Sequence, residues 1–509
     1  MADNITYDTI PGNLPLGGVF LEIDPSQALG NLVNAERKVL IIGQRLPEGT
    51  TPAKTPVRVL SQADAEQKFG RGSMLHNMFG AVQAFIDETG LVDVYAVALD
   101  DNEAGVAAKA TVTLGGQVVT PRTMKLYIGG KQIQIAASLN DTAAALATKL
   151  SAAINADKTL PVSAAAAEEV LTITAKHKGE ASNGIEVACT YYDDDLLPTG
   201  VSCTISGGGK LAGGTGNPKV AEALAAVSED WFYSVASPYN DEENIKALEH
   251  DFDGRWGGMD MRTAHGFLAM DGTHGELTTA GNKRNSAHTT IWGLKNCPTW
   301  TAVRAAALAV TCQYYGAADP ALPLKSVKVP GVLAPRLKDR LSYNERTLLV
   351  RDGISTTTVS RDGNTYLERV VTTYQENAAG IADSSLSSLE TKWTVDYYRY
   401  VVRTQIALKF PRHKLVDDGT NIAPGQKFVS PQIVNDLITA IEADLEAAGI
   451  IEQTEQSRKR RKVVRSLTDP DRINAVLPPN LVNQFRTFAA SNLGASSRAR
   501  GLRRRRHYR

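Results

Sequence analysis

The stretch "KVLIIGQ", residues 38–44, decides the fold. Its apolar residues run on without alternation, as in a strand buried on both faces, and such strands belong to parallel sheets covered by helices. After it come a proline-bounded loop and the short strand "VRVL", residues 57–60. Ser61 opens "SQADAEQKF" with Asp64 three residues on, a start resembling a capping box. The glycine-rich turn of "KFGRGSMLHNM", residues 68–78, leads into Leu75, Met78, Phe79, Val82, Phe85 and Ile86 at helical spacing. "VDVYAVAL", residues 92–99, supplies the next strand, and strand, helix, helix, strand is a layered α/β unit.

The glycine-rich turn has three possible meanings, and chemistry separates them. A phosphate loop needs several small residues and a lysine followed by Ser or Thr, and Gly70 and Gly72 have neither. "GGGKLAGG" also fails, because Leu211 stands where the magnesium-binding hydroxyl belongs. A nucleophile elbow at Ser73 needs glycines where Arg71 and Leu75 stand. There remains a helix entry: Ser73 caps the helix from Met74, and the two glycines make the turn. His265, His274 and Asp271 lack a serine on a turn beside an oxyanion hole, and no His, Cys and carboxylate cluster has metal-ligand spacing. The histidines read as packed or solvent-facing residues. No cofactor is expected.

Further along, residues 105–216 turn to Ala, Thr, Val and Gly, with alternating runs such as "KLYIGGKQIQIAA" and "VLTITAKH" around an alanine-rich helix near 142–155. This reads as a small β-rich domain inserted into the α/β one, and its exit "SGGGKLAGGTGNP", residues 206–218, has the composition of a flexible linker. The α/β pattern resumes with strand 231–239, helix 241–256, strands 265–270 and 288–294, and a helix from Thr299 to about Tyr315. A hairpin turns at Asp362 and Gly363, and long helical patterns follow at 386–408 and 431–448.

Over 509 residues, 55 Lys and Arg balance 55 Asp and Glu, which gives no overall pull toward nucleic acid or an anionic membrane. The basic run "SRKRRK", residues 457–462, and the arginine-rich end read as solvated charge blocks. No apolar run has the length of a membrane span, and the amino end has no signal-peptide pattern. The four cysteines form no CxxC pair, so a reducing cytoplasm with all four thiols free is expected.

Seven segments, taken in order, resemble the tail sheath subunits of Mu-type contractile phages. They are "FGRGSML" (69–75), "LTTAGNKRNSAHTTIWG" (277–293), "VPGVLAP" (329–335), "LLVRDGISTTTV" (348–359), "TTYQENAAGIAD" (372–383), "LKFPRHKLVDDGTNIAPGQ" (408–426) and "DPDRINAVLPPNLVNQFR" (469–486). The resemblance implies a structural protein without catalysis, whose α/β core has subtilisin-like topology without the protease's active residues. It implies an amino-terminal arm at 1–36, a core in two parts at 37–104 and 217–383, an outward-facing insertion at 105–216 and a carboxyl-terminal sheath domain at 384–490. A basic tail at 491–509 would follow. Two places depart from the family: "EQSRKRRKVV" (455–464) and the basic end stand where apolar strands are expected.

The implied partners are further copies in six-membered rings, the tail tube, the baseplate and the tail terminator, with neither specific nucleic acid nor membrane. The implied location is the virion, with assembly in the host cytoplasm. The arm strand is Val19, Phe20, Leu21, Glu22 and Ile23, which has no partner nearby in sequence and suits pairing with a neighbouring copy. The 386–408 helix reads as buried, through Trp393, Tyr397, Tyr400, Val401 and Leu408. The 431–448 helix, with Asp436, Glu442, Asp444 and Glu446, reads as facing the tube. A hydrolase on the same core and another tail component, such as a tube protein, remain as rival readings.

Overall fold

The structure is a computed structural model that describes residues 37–490 apart from Asp193 and Pro424. The arm strand at 19–23 and the basic tail at 491–509 lie outside the described residues.

The run at 38–44 forms β1 (Val39–Gln44), in which every residue is buried. β2 (Pro56–Arg58), α1 (Gln62–Phe69), α2 (Met74–Glu88) and β3 (Val94–Leu99) follow. Both caps form as expected: the Ser61 hydroxyl accepts from the Asp64 N–H at 3.1 Å, and the Ser73 hydroxyl from the His76 N–H at 3.0 Å. Each satisfies a backbone donor that the first turn leaves without a partner.

The next segment holds β4 (Ala107–Thr120), β5 (Arg122–Ile128), β6 (Lys131–Ala137), α3 (Ala143–Ala156), β7 (Val162–Ala167), β8 (Val170–Lys178), β9 (Val187–Ala188) and β10 (Thr199–Ile205). They make a four-stranded sheet, β10-β4-β8-β7, and a three-stranded one, β6-β5-β9, with α3 against them. The strands alternate buried and exposed residues, the pattern of sheets with one covered face.

The α/β layer resumes with α4 (Val220–Ala226), β11 (Ser234–Ala236), α5 (Glu242–Trp256), β12 (His265–Asp271), α6 (His274–Asn282), β13 (Thr289–Leu294) and α7 (Thr301–Ala318). β14 (Lys328–Leu333), α8 (Tyr343–Arg351), β15 (Ile354–Val359) and β16 (Asn364–Arg369) complete it. Among the described residues these strands and β1–β3 form one sheet, ordered β14-β16-β15-β13-β12-β11-β1-β3-β2. It is parallel from β15 through to β3, and β2, β16 and β14 pair antiparallel at its ends. α6 and α8 were not expected; each starts on a full capping box, Thr273 with Glu276 and Ser342 with Glu345.

The last region holds α9 (Leu389–Lys409), β17 (Lys414–Leu415), β18 (Phe428–Val429), α10 (Pro431–Ala447), α11 (Thr454–Arg460), β19 (Lys462–Arg465) and β20 (Ile473–Val476). α9 buries Trp393 and Val401 as expected, while Leu408 is exposed. Trp393 packs where α7 has Gly316; any side chain there would collide with the indole ring.

Two expectations are corrected. Cys189 and Cys203 form a disulfide with Cα atoms 6.7 Å apart, because the chain after β9 returns along β10; only Cys297 and Cys312 are free, both buried. The exit at 206–218 is no loose linker. Lys210, Ala212 and Thr215 bridge to Glu186, Lys109 and Val106, and Leu211 is buried. Its glycines serve positive φ at Gly207, Gly208, Gly209, Gly213 and Gly216.

Candidate functional site

The arrangement most like catalytic machinery lies where the insertion meets the core. His177 on β8 uses Nε2 to accept from the Met74 N–H at 3.0 Å, so its proton sits on Nδ1 and is donated to Asp101 Oδ1 at 2.9 Å. Burial raises the Asp101 carboxyl, but bonds from His177, the Lys178 N–H and Gln44 bring it below the ordinary value. The pair looks like a His–Asp dyad beside Ser73, yet both imidazole nitrogens are occupied, His177 is buried, and Ser73 is wholly buried with its hydroxyl accepting from a helix N–H. A general base needs a free nitrogen within reach of a nucleophile. The dyad therefore holds the insertion on the core. Gly72 supports the helix-entry reading of the glycine-rich turn, since a side chain there would strike the Lys158 carbonyl.

His265 and His288 are also sealed. Burial pushes His265 well below the usual imidazole value, and its Nε2 pairs with the Thr290 hydroxyl at 2.8 Å. Burial, reinforced by the Lys392 charge, takes His288 down to about 3. No group of three or more His, Cys, Asp or Glu side chains among the described residues is placed to hold a metal ion. No described helix is long and apolar enough to cross a membrane.

The joint between insertion and core carries a second polar cluster. Lys210 pairs with Asp271 at 2.5 Å, Asp271 with Arg304 at 3.3 Å, and Glu186 with Arg336 at 3.5 Å. Burial pushes the Glu186 carboxyl up to about 7, against the pull of Arg336 and Lys210. Below its ordinary value of 4.5 the folded and unfolded chains both hold this proton. Between there and about 7 only the folded chain does, so stability falls as pH rises through that window and then levels off. Glu186→Gln should flatten this slope, a difference on the order of 3 kcal/mol, read from urea unfolding at the two ends of the window. An unchanged slope in the variant would place the proton elsewhere.

The helix assigned to the tube resolves into two faces. Val434, Ile438, Ile441 and Leu445 of α10 are buried, with Ile441 and Leu445 packed in a cluster with Tyr398, Val401 and Val402 of α9. Asp436 and Glu446 are exposed and Asp444 is half-buried. Glu442 does not belong with them: it is 1 % exposed, accepts from the Tyr398 hydroxyl at 2.9 Å and faces Arg461 at 3.4 Å. Its position, eight residues after Val434, puts it on the apolar face, where Arg461 arrives opposite it. Glu446 is also engaged, taking the Thr454 hydroxyl at 2.5 Å and its N–H at 3.2 Å.

Arg461 corrects the reading of 457–462 as a solvated block. The run forms most of α11 and the start of β19, and Arg461 alone among its basic residues turns inward. β19 pairs only with β20, leaving both outer edges of this two-stranded sheet without a described strand. Val464 and Val476 are more than half exposed on it. Beyond β20 the chain runs back past α10, exposing Phe485 and Phe488.

Known proteins match this chain along most of its length. Residues 213–373 match the phage tail sheath protein central domain, and residues 382–492 the phage tail sheath C-terminal domain. The Mu-like prophage FluMu tail sheath protein of Haemophilus influenzae is 34% identical over 486 residues, covering 96% of this chain and 98% of that protein. A sheath tail protein from Desulfitobacterium hafniense superposes at TM-score 0.46 with 12% identity, over 91% of this chain and 100% of that one. One from Listeria innocua does so at 0.47 with 13% identity, over 88% and 92%. By its two domain matches and its nearly full-length relative, the chain belongs to the phage tail sheath family and is a structural subunit, not an enzyme.

Proposed function

We propose that copies of this subunit stack as six-membered rings around a tail tube and contract to drive it through a host envelope. The growing stack would meet the baseplate at one end and the terminator at the other, assembling in the host cytoplasm and persisting in the virion. The observation that carries this reading is the bare two-stranded sheet β19–β20. A two-stranded sheet is marginal alone and its free edges accept strands from other chains. The strand-forming run at 19–23 of a neighbouring copy has the length and composition to fill that place. Backbone pairing of this kind tolerates the basic residues that flank β19.

The α/β layer we take as the subtilisin-like core, with the insertion at 105–216 facing outward. The outer face of α10, with exposed Asp436 and Glu446 and half-buried Asp444, is the proposed tube-facing surface. Exposed ion pairs there contribute about 0–1 kcal/mol each, weak enough to release during contraction.

Electron microscopy tests the reading: the purified full chain should form hollow cylinders. A chain lacking residues 1–25 should stay folded and form none, since the removed arm contributes little to its own core. A full-length chain that stays monomeric at high concentration would overturn the proposal, and loss of folding on truncation would make the arm part of the core.

A further inference from the structure

Near each end of the described chain an arginine reaches one helix, Arg37 beside its closer contacts to Tyr233 and α7, and Arg486 at the helix start. At the amino end, the Arg37 guanidinium lies 4.7 Å from the Tyr233 ring centroid and 5.8 Å from that of Tyr397 on α9, and donates to the Gly316 carbonyl. At the carboxyl end, Arg486 reaches Glu390 at 3.1 Å and Ser388 at 2.9 Å, at the start of α9. Glu390 is 1 % exposed and its other oxygen accepts from the Leu324 N–H at 3.0 Å, so the Arg486 anchor is itself built into the interior. Glu390 and Tyr397 are seven residues apart, two turns along one face of the helix, about 10 Å. Between them Lys392 and Asp396, both buried, pair at 2.7 Å, and Trp393 is set into the core against Gly316.

We propose that α9 is the tie between the two terminal arms: pull on the amino arm enters at Arg37, crosses two turns of α9, and leaves at Arg486 toward the carboxyl tail. Residues 1–36 and 491–509 extend beyond these anchors on either side. The proposal rests on the reading of the amino arm as a tether to a neighbouring copy, extends that role to the carboxyl tail, and adds where the tension passes within a subunit. A 21-residue helix cemented to the core near its start by Trp393 and the Lys392–Asp396 pair transmits displacement without unravelling the sheet. The anchors are thus in series along one path. Each is a positioning residue for its arm, and the apolar stem of methionine fills the space of either arginine without its charge.

The test uses full-length Arg37→Met, Arg486→Met and the double variant. In unassembled subunits, amide exchange should rise by about threefold or more around 316 and 397 in the first, and around 388–390 in the second. In assembled cylinders, each single variant should lower the urea concentration at which half the cylinders come apart. The double variant should be no weaker than the weaker single, because links in series fail at the weakest. Additive weakening in the double variant would place the anchors on separate paths and overturn the proposal, as would unchanged exchange in both singles. A wild-type chain that forms no cylinders would sink the sheath reading, and the exchange measurement would still decide whether the arginines hold α9.

Discussion

Glu442→Lys should cost about 3–5 kcal/mol and yield a chain whose carboxyl-terminal region does not pack, whereas Asp436→Lys on the same helix should leave folding within about 0.5 kcal/mol of the parent. The contrast comes from geometry. Glu442 is buried between Tyr398 and Arg461, so a lysine there sets an ammonium against a buried guanidinium and strips the phenol of its acceptor. Asp436 has an exposed carboxylate that accepts from the Gln432 side-chain amide, one turn back, at 2.7 Å. Urea unfolding of the two variants separates them. Equal, small effects would mean that α10 presents its whole acidic set to a partner and that Arg461 can do without Glu442. For the proposed tube contact, charge reversal is therefore informative at Asp436 and Asp444, and uninformative at Glu442.

The same helix shows what was legible in the sequence and what was not. Its extent was readable from the spacing of Val434, Ile438, Ile441 and Leu445, as β1 was from its unbroken apolar run and the hairpin of β15 and β16 from Asp362 and Gly363. The fate of one carboxylate was not, because a buried acid is recognisable only by the base that meets it, and Arg461 lies nineteen residues away inside a run of six basic and polar residues. Average charge in that run says solvent; the register of α11 turns a single basic member inward, beside Ser457. α6 and α8 were missed although Thr273 with Glu276 and Ser342 with Glu345 were there to be read: the helices are short, and each buries few residues. Their capping boxes were the only signal. The glycines at 206–218 misled in the opposite direction. Glycine serves both loose chain and tight approach, and only the partner strand, here the start of β4, separates the two.

Excision of the insertion illustrates the consequence. Its glycine-bounded ends invite replacement by a short linker. Yet removing 105–216 would strip the Met74 N–H of His177 and Asp271 of Lys210, and would leave the Trp300 indole N–H without the Ala181 carbonyl it now meets at 2.7 Å. Each buried group left unpaired costs about 1–3 kcal/mol. A clean excision needs compensating apolar substitutions at the joint before its effect on assembly can be read.

Asp396→Ala is expected to be the most damaging single truncation in α9, at about 3–5 kcal/mol. The carboxylate accepts from the Trp256 indole at 2.6 Å, the Thr263 hydroxyl at 2.7 Å and Lys392 at 2.7 Å, and both ends of the ion pair are 1 % exposed. Removing it strands the ammonium, which keeps only the Thr263 hydroxyl at 2.7 Å and the Ala264 carbonyl at 3.4 Å. Burial already lowers the Lys392 pKa in the parent, and without Asp396 nothing on α9 opposes that burial at close range. A lysine whose folded pKa lies below its unfolded one binds fewer protons when folded, so stability rises with pH across the interval between the two values. The Asp396→Ala deficit should therefore shrink as pH is raised through that interval, the reverse of the Glu186 trend. Replacing the pair together, as Lys392→Met with Asp396→Leu, should recover most of the loss, since an apolar pair of similar volume avoids desolvating two charges. Urea midpoints for the single and double variants decide the matter: if the double variant is no more stable than Asp396→Ala, the damage lies in the lost Trp256 and Thr263 bonds, and the stranded charge is not its cause.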